Sequence, residues 1–330
     1  MTNKIGWIDN LRAVACIMVV MIHATTYYVT SGAQVGEANW DIANLLNSAS
    51  RACVPLFFMI SGYLFFGEKS AQQKHFTRIG LCLLFYSVIA LIYISILTPI
   101  NGWASLQKIL KKPVFYHLWF FYAIIVVYLV SPLINVKPVS GRYLAVVILL
   151  LAVFANPQAS KYSIGGFHLL PINLYIYGDT FYYLLYALLG RAIGMLETKG
   201  RATSWGAALL FIASVIFIAI STEKQTRING SFADTFYMYC GPLVFVASVS
   251  LLVWFKNCMN QKIGWLSWLA GHSLAIYGFH ALIIHFIRTH HYDFTDYPIL
   301  DIFYVFALAL ALSTLLSMGL QRIDRRRLVS

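Results

Sequence analysis

The stretch LRAVACIMVVMIHATTYYV, Leu11 to Val29, decides the fold. Its only permanent charge is Arg12, at its start; His23 sits near its middle, and the rest is apolar or small. As a helix it would be roughly 28 Å long at about 1.5 Å per residue, close to the ~30 Å hydrocarbon core of a bilayer. A helix here crosses a membrane. It then carries an imidazole where only lipid or protein can surround it.

The pattern continues outward along the chain. Of 330 residues, 60% are hydrophobic and 11% charged, with mean hydropathy +0.72. A soluble domain would be about a quarter charged. The apolar residues fall into blocks of about 15 to 24, separated by short charged or Pro/Gly/Asn-containing breaks. Alternating strands of about ten residues, the mark of an outer-membrane barrel, are absent. The sequence therefore predicts an all-α, polytopic integral membrane protein, with one transmembrane domain over 1–330. About ten spans are expected, near 12–30, 45–66, 79–98, 117–136, 142–155, 179–197, 204–221, 233–255, 268–288 and 298–318. Pro55 predicts a kink in the second. The connection NPQASKYSIGGFHLLPINLYIYG, residues 156–178, has the composition of an interfacial or re-entrant segment.

Lys4 precedes the first apolar block, but no small-residue cleavage site follows Thr26, so a retained helix is expected rather than a signal peptide. The five cysteines are odd in number and lack CxxC spacing, which implies neither disulfides nor a metal site. The net charge of +12 has a topological explanation. With the N-terminus inside, sixteen of the 24 Lys and Arg residues fall on the cytoplasmic side and eight opposite. This positive-inside bias places both termini in the cytoplasm. No nucleic-acid partner is required, and QRIDRRRLVS reads as a cytoplasmic stop.

Arg12 and His23 are eleven residues apart. At about 100° per residue that is roughly 20° beyond three turns, so both share one helix face, about 16 Å apart along the axis. Taken singly, Arg12 also fits an interface anchor and His23 an imidazole bonded across helices. Aligned, they would meet a cofactor whose charged part stays at the cytoplasmic surface and whose thin arm reaches mid-membrane. Arginine suits phosphate, and a neutral imidazole suits proton abstraction from a hydroxyl. Acyl-coenzyme A has that shape.

Four ordered stretches carry a resemblance. WIDNLRAVACIMVVMIH (Trp7–His23) is similar to the first helix of the acyltransferase 3 family of integral-membrane enzymes, in which a basic residue and a histidine are separated by ten residues. VPLFFMISGYLFF (Val54–Phe66) resembles the family's second-helix signature, HLWFFYAIIVVYLVSPLI (His117–Ile134) its histidine-leucine-tryptophan helix, and SLAIYGFHALIIH (Ser273–His285) a late helix carrying histidine. Members often have two arginines separated by two residues where the chain enters the third helix; KHFTRIG puts His75 and Arg78 there.

The resemblance implies transfer of an acyl group, commonly acetyl, from a cytoplasmic donor to a hydroxyl of a glycan, lipid or peptide, in the bacterial inner membrane. Acetyl-CoA would be a co-substrate, with no permanently bound cofactor and no metal. His23 would be catalytic, as general base or as a transiently acetylated carrier. Arg12, Arg78 and His75 would hold the coenzyme. A lipid-linked sugar or glycan is the expected acceptor, within the lipid bilayer.

Other residues offer further contacts. Trp119 fits stacking on a sugar or on the coenzyme's adenine, or an aromatic belt, and Arg51 fits an acceptor contact or a headgroup marker. His280, inside the ninth span, fits a substrate contact or a structural polar role. His117 reads as a solvated residue at a helix end, and His285 as lying near the exit of its span. Ser61 and Gly62 fit close helix packing. Asp9, three residues before Arg12, is placed to pair with it. Asp179, Asp234 and Asp301 each begin a predicted helix, where a carboxylate suits the dipole. No phosphate loop, HExxH or GxSxG motif is present. The alternative class is a transporter or flippase for a lipid-linked sugar or small solute, but the repeated halves with paired broken helices common in that class are not visible.

Overall fold

One long helix, α1 (Gly6–Ser31), forms the axis around which the others gather in the computed structural model. The structure describes residues 5–98, 102–109, 111–164, 167–168, 170–197 and 200–330. After α1 come α2 (Glu37–Ser50), α3 (Cys53–Phe65), α4 (Gln73–Leu97), the short α5 (Gly102–Gln107), α6 (Trp119–Val130) and α7 (Gly141–Val147). The chain continues through α8 (Asp179–Met195), α9 (Arg201–Asn229), α10 (Pro242–Cys258), α11 (Gly264–Ala270), α12 (Ser273–Thr289) and α13 (Pro298–Ile323). Helix α1 packs against α2, α3, α10, α11, α12 and α13. Fifteen of its 26 residues are buried, including both Ala13 and Ala15, which is why neighbours can close in on several sides.

Every one of the ten predicted segments is helical. Seven helical spans are long and apolar enough to cross a membrane, α2 with α3 (Glu37–Phe65) counting as one, and the protein is a membrane protein. An eighth crossing results if α11 and α12, bent by 70° at Gly271–His272, count as one broken span. The remaining two segments are shorter: α8 has 17 residues, and Gly141–Phe154 is an α-turn pair that passes into a π-helix over Ile148–Phe154. There Ala155 N–H donates five residues back to Leu150 at 2.7 Å.

Pro55 acts as predicted, but as a break rather than a kink. Its ring crowds the carbonyl four residues earlier, Arg51, and α2 ends at Ser50 while α3 restarts at Cys53. This interruption turns Arg51 inward. Helices α3 and α8 then touch backbone to backbone. A Cβ on Gly62 would lie 1.9 Å from the Ala187 carbonyl oxygen, and one on Gly190 would lie 2.0 Å from that of Met59. The expectation for Gly62 is met, and Gly190 supplies the reciprocal notch.

Residues 156–178 are not helical apart from a 3₁₀ turn over Pro157–Lys161 and a two-residue antiparallel hairpin, Ser163–Ile164 with Phe167–His168. Asn156 anchors the start of the segment, donating to the carbonyls of Ala152 (2.9 Å) and Cys240 (2.8 Å). Leu170, Tyr175 and Tyr177 stay largely exposed, as befits an interfacial segment.

Candidate functional site

Two polar clusters lie along one side of α1. At the Arg12 end, Arg12 is half-buried with its Nη1 3.8 Å from Asp9 Oδ1. Asp9 is held in turn by the Ser267 hydroxyl, which donates at 3.1 Å. The predicted pairing is therefore present but loose. Arg78, from the first turns of α4, comes close enough to Arg12 for the two charges to interact, and Tyr128 from α6 stands near both. His75 completes this end, its ring 4.9 Å from Phe65 and 6.4 Å from Tyr128. One of its nitrogens is already used: Nδ1 accepts the Gln72 N–H at 2.9 Å and caps α4. Arg78 is also engaged, its Nη2 donating to the Ser330 carbonyl at 2.8 Å. The segment after α13 folds back here, pinned by Asp324, whose carboxylate accepts N–H bonds from Leu328 (3.0 Å), Val329 (2.8 Å) and Ser330 (3.0 Å).

At mid-helix, three imidazoles meet. The ring of His23 lies 5.1 Å from that of His280 on α12, and His280 lies 5.4 Å from His117. Tyr116 covers another side of His23 at 5.3 Å. Among the described residues none hydrogen-bonds the half-buried His23 ring, whereas both neighbours are pinned to backbone carbonyls. The expectation that His117 is solvated is corrected: it is 2% exposed, and its Nε2 bonds the Gly278 carbonyl at 3.1 Å. The 3₁₀ turn Tyr116–Leu118 that leads into α6 folds the ring inward instead of leaving it at a free helix end. Sequence spacing gave no sign of this, because the partner carbonyl lies 161 residues away.

Arg51 stands within electrostatic reach of His23. Its Nε donates to Asn47 Oδ1 at 2.8 Å, and its guanidinium lies over the Tyr237 ring at 4.0 Å and near Tyr239 at 5.8 Å. Tyr239 stacks on Trp119 at 6.0 Å, and Trp119 also meets Tyr183 at 5.9 Å. Trp119 is thus part of an interior aromatic wall continuous with Arg51, not of an isolated interfacial belt. His285 is structural in its contacts, its Nδ1 2.7 Å from the Tyr93 hydroxyl.

A second ionic cluster was not foreseen. Asp301, on the first turn of α13, is fully buried and pairs with Arg288 at 2.5 Å. Arg288 also pairs with Asp293 at 2.9 Å, and the Tyr28 hydroxyl donates to Asp301 at 2.7 Å. The helix-dipole reading of Asp301 was therefore incomplete. A polar cavity of about 340 Å³ opens beside this cluster, lined by Tyr27, Tyr28, Ser31, Asn39, Thr295 and Asp296 among others. The larger cavity, about 530 Å³ between α4, α12 and α13, is lined by apolar and aromatic side chains and excludes His23.

A polar core at two depths of one membrane-embedded helix defines the class: a membrane protein with an internal site. The chain belongs to the acyltransferase 3 family, whose acyltransferase-domain profile matches residues 5–320, and this membership supports an acyltransferase activity. It is also similar to a serine/alanine racemase from Enterococcus gallinarum, at 26% identity over 311 residues. That match covers 86% of this chain and 42% of the racemase, so the chain spans less than half the length of that relative. No solved structure matches.

Proposed function

We propose that the protein is an O-acetyltransferase that moves acetyl from acetyl-CoA to a hydroxyl of a cell-surface glycan. One observation carries this reading. Arg12 and Arg78 converge at one end of α1, and His23 stands about 16 Å further along the same face with its ring free among the described residues. The nucleotide phosphates would rest near the two guanidiniums and the pantetheine arm would run beside α1. His75 would add its remaining ring nitrogen.

In the direct route, His23 takes the proton of the acceptor hydroxyl as its oxygen attacks the thioester carbonyl. The C–S bond then breaks, and the thiolate recovers the proton from His23. In the carrier route the imidazole attacks first, the C–S bond breaks and the departing thiolate takes the ring proton. The acceptor hydroxyl then attacks the acetyl-imidazole and its proton returns to His23, with ping-pong kinetics. Trp119 and Tyr239 offer a stacking face for a sugar ring, with Arg51 and His280 beside it.

The finer assignments belong to the same reading. All ten helical segments cross the bacterial inner membrane, as a single domain with both termini cytoplasmic, as the Lys/Arg bias favours. At closer range the sequence resembles the enterobacterial common antigen O-acetyltransferase, so N-acetylglucosamine residues of that antigen are the proposed acceptor. The racemase name stays with its own, longer chain. A transporter of lipid-linked sugars is the other reading; against it, the described residues include one sharply bent helix pair rather than two in corresponding halves.

The test uses purified protein in nanodiscs with radiolabelled acetyl-CoA and a lipid-linked antigen acceptor. Label should pass to the acceptor with the wild type, and His23→Ala should lower turnover by about 10² to 10⁴-fold while the protein stays folded. Acceptor binding without acetyl transfer by the wild type would remove the enzyme reading and favour transport.

A further inference from the structure

Two histidines beside His23 carry their hydrogens where the backbone dictates. His280 Nδ1 lies 3.0 Å from the Ile276 carbonyl oxygen and 2.8 Å from that of Tyr277. A carbonyl only accepts, so Nδ1 bears the hydrogen, and in the neutral ring Nε2 is a bare lone pair. His117 is the converse. Its Nε2 lies 3.1 Å from the Gly278 carbonyl oxygen and bears the hydrogen, which leaves Nδ1 as the lone pair. These tautomers follow from the hydrogen-bond partners.

Both lone pairs are buried, and no group among the described residues donates to either. The rings themselves are almost fully enclosed, His280 at 0% and His117 at 2% exposure. Native interiors seldom leave an acceptor unmatched, and one side chain with this defect invites an explanation. Here two occur on adjacent rings, and the nearer ring centroid is 5.1 Å from His23, the ring of the three with no hydrogen bond among the described residues. A ligand matching them must donate hydrogen bonds. Carboxylates and phosphates cannot, and hydroxyls can.

We propose that His280 Nε2 and His117 Nδ1 are paired hydrogen-bond acceptors for hydroxyls of the acyl acceptor adjacent to the one that His23 serves. The acceptor is then a polyol such as a sugar ring rather than a lone alcohol or a peptide hydroxyl. This rests on the transferase reading above. The two histidines bind and orient; they take no proton in the transfer.

Fluorine separates this arrangement from its opposite, because a C–F group keeps weak acceptor character but cannot donate. The full-length protein in nanodiscs would be assayed with acetyl-CoA and the octyl β-glycoside of N-acetylglucosamine. Derivatives with each hydroxyl replaced by fluorine or hydrogen complete the panel. At a position other than the acetylated one, both replacements should raise KM by about tenfold or more with a smaller change in kcat. In His280→Gln or His117→Gln the same replacement should cost little further, since the contact is already gone. Tolerance of every non-reacting replacement within about twofold would overturn the proposal.

Wild-type protein with ¹⁵N-labelled histidine gives a readout that does not depend on variants folding. The two unprotonated ring nitrogens should shift when the parent glycoside is added without acetyl-CoA, and should not shift with the decisive fluoro derivative. Such shifts without any acetyl transfer would keep the two histidines as hydroxyl-binding acceptors for a sugar and remove the transferase reading. Acetyl transfer with unmoved resonances would do the reverse, and neither signal would remove both.

Discussion

Arg288 sits between two carboxylates and two aromatic faces, 13% exposed, at the end of α1 beyond His23. Taking a charge out of water is costly, and Asp301 and Asp293 offset that cost only while both remain. Asp301→Asn should therefore destabilise the protein by about 1.5–3 kcal/mol, read as a lowered thermal midpoint in detergent, because it leaves the buried guanidinium with Asp293 alone. Tyr28→Phe removes one hydrogen bond to the same carboxylate and should cost about 1 kcal/mol. At this scale the sequence was legible where one helix set the geometry. Arg12 and His23 share a face because eleven residues close three turns. His117 was misjudged and Asp301 only partly read because their partners, the Gly278 carbonyl and Arg288, arrive from other elements, and no local spacing records such a meeting.

The contact between α3 and α8 depends on the absence of two side chains. With the Met59 backbone oxygen 2.0 Å from a Cβ at Gly190, no rotamer change can make room. Gly190→Val and Gly62→Val should each push the helices apart and abolish folded, monodisperse protein in size-exclusion chromatography. Gly206→Ala in α9 is the control, since a Cβ there meets nothing within 4 Å. It should be tolerated, or gain up to about 1 kcal/mol from helix propensity. Hydropathy located these helices well, because each needs about twenty apolar residues whatever it packs against. It could not resolve the break between α2 and α3, or the π-helical turn at Ile148–Phe154, since both alter hydrogen bonding without altering composition.

Across the whole molecule, the segment after α13 returns to the Arg12 end and occupies part of Arg78. Burial disfavours the charged form of Asp324, but the N–H donors of Val329, Leu328 and Ser330 outweigh it and hold the carboxyl below its ordinary value. The anchoring it supplies is then complete above the ordinary carboxyl range and fades as pH falls through the lowered value. Protection of the Leu328–Ser330 amides relative to their intrinsic exchange rates should fall only as pH drops below the ordinary carboxyl range in the wild type. In Asp324→Asn it should be fast at neutral pH, with easier tryptic cleavage after Arg325, Arg326 and Arg327. None of this return was visible in QRIDRRRLVS, whose charge reports a side of the membrane and not a place to dock.

Helix α1 runs unbroken from Gly6 to Ser31, without proline or glycine between Arg12 and His23. It is a rod, and a rod cannot serve as a gate. Its two polar stations keep a fixed separation, and the interruptions lie in other elements, at the α2–α3 break and at the 70° angle of Gly271–His272. Substitutions along the rod would change what a station does. Removal of a single residue between the stations would swing His23 about 100° off the shared face and leave every side chain intact but facing the wrong neighbour.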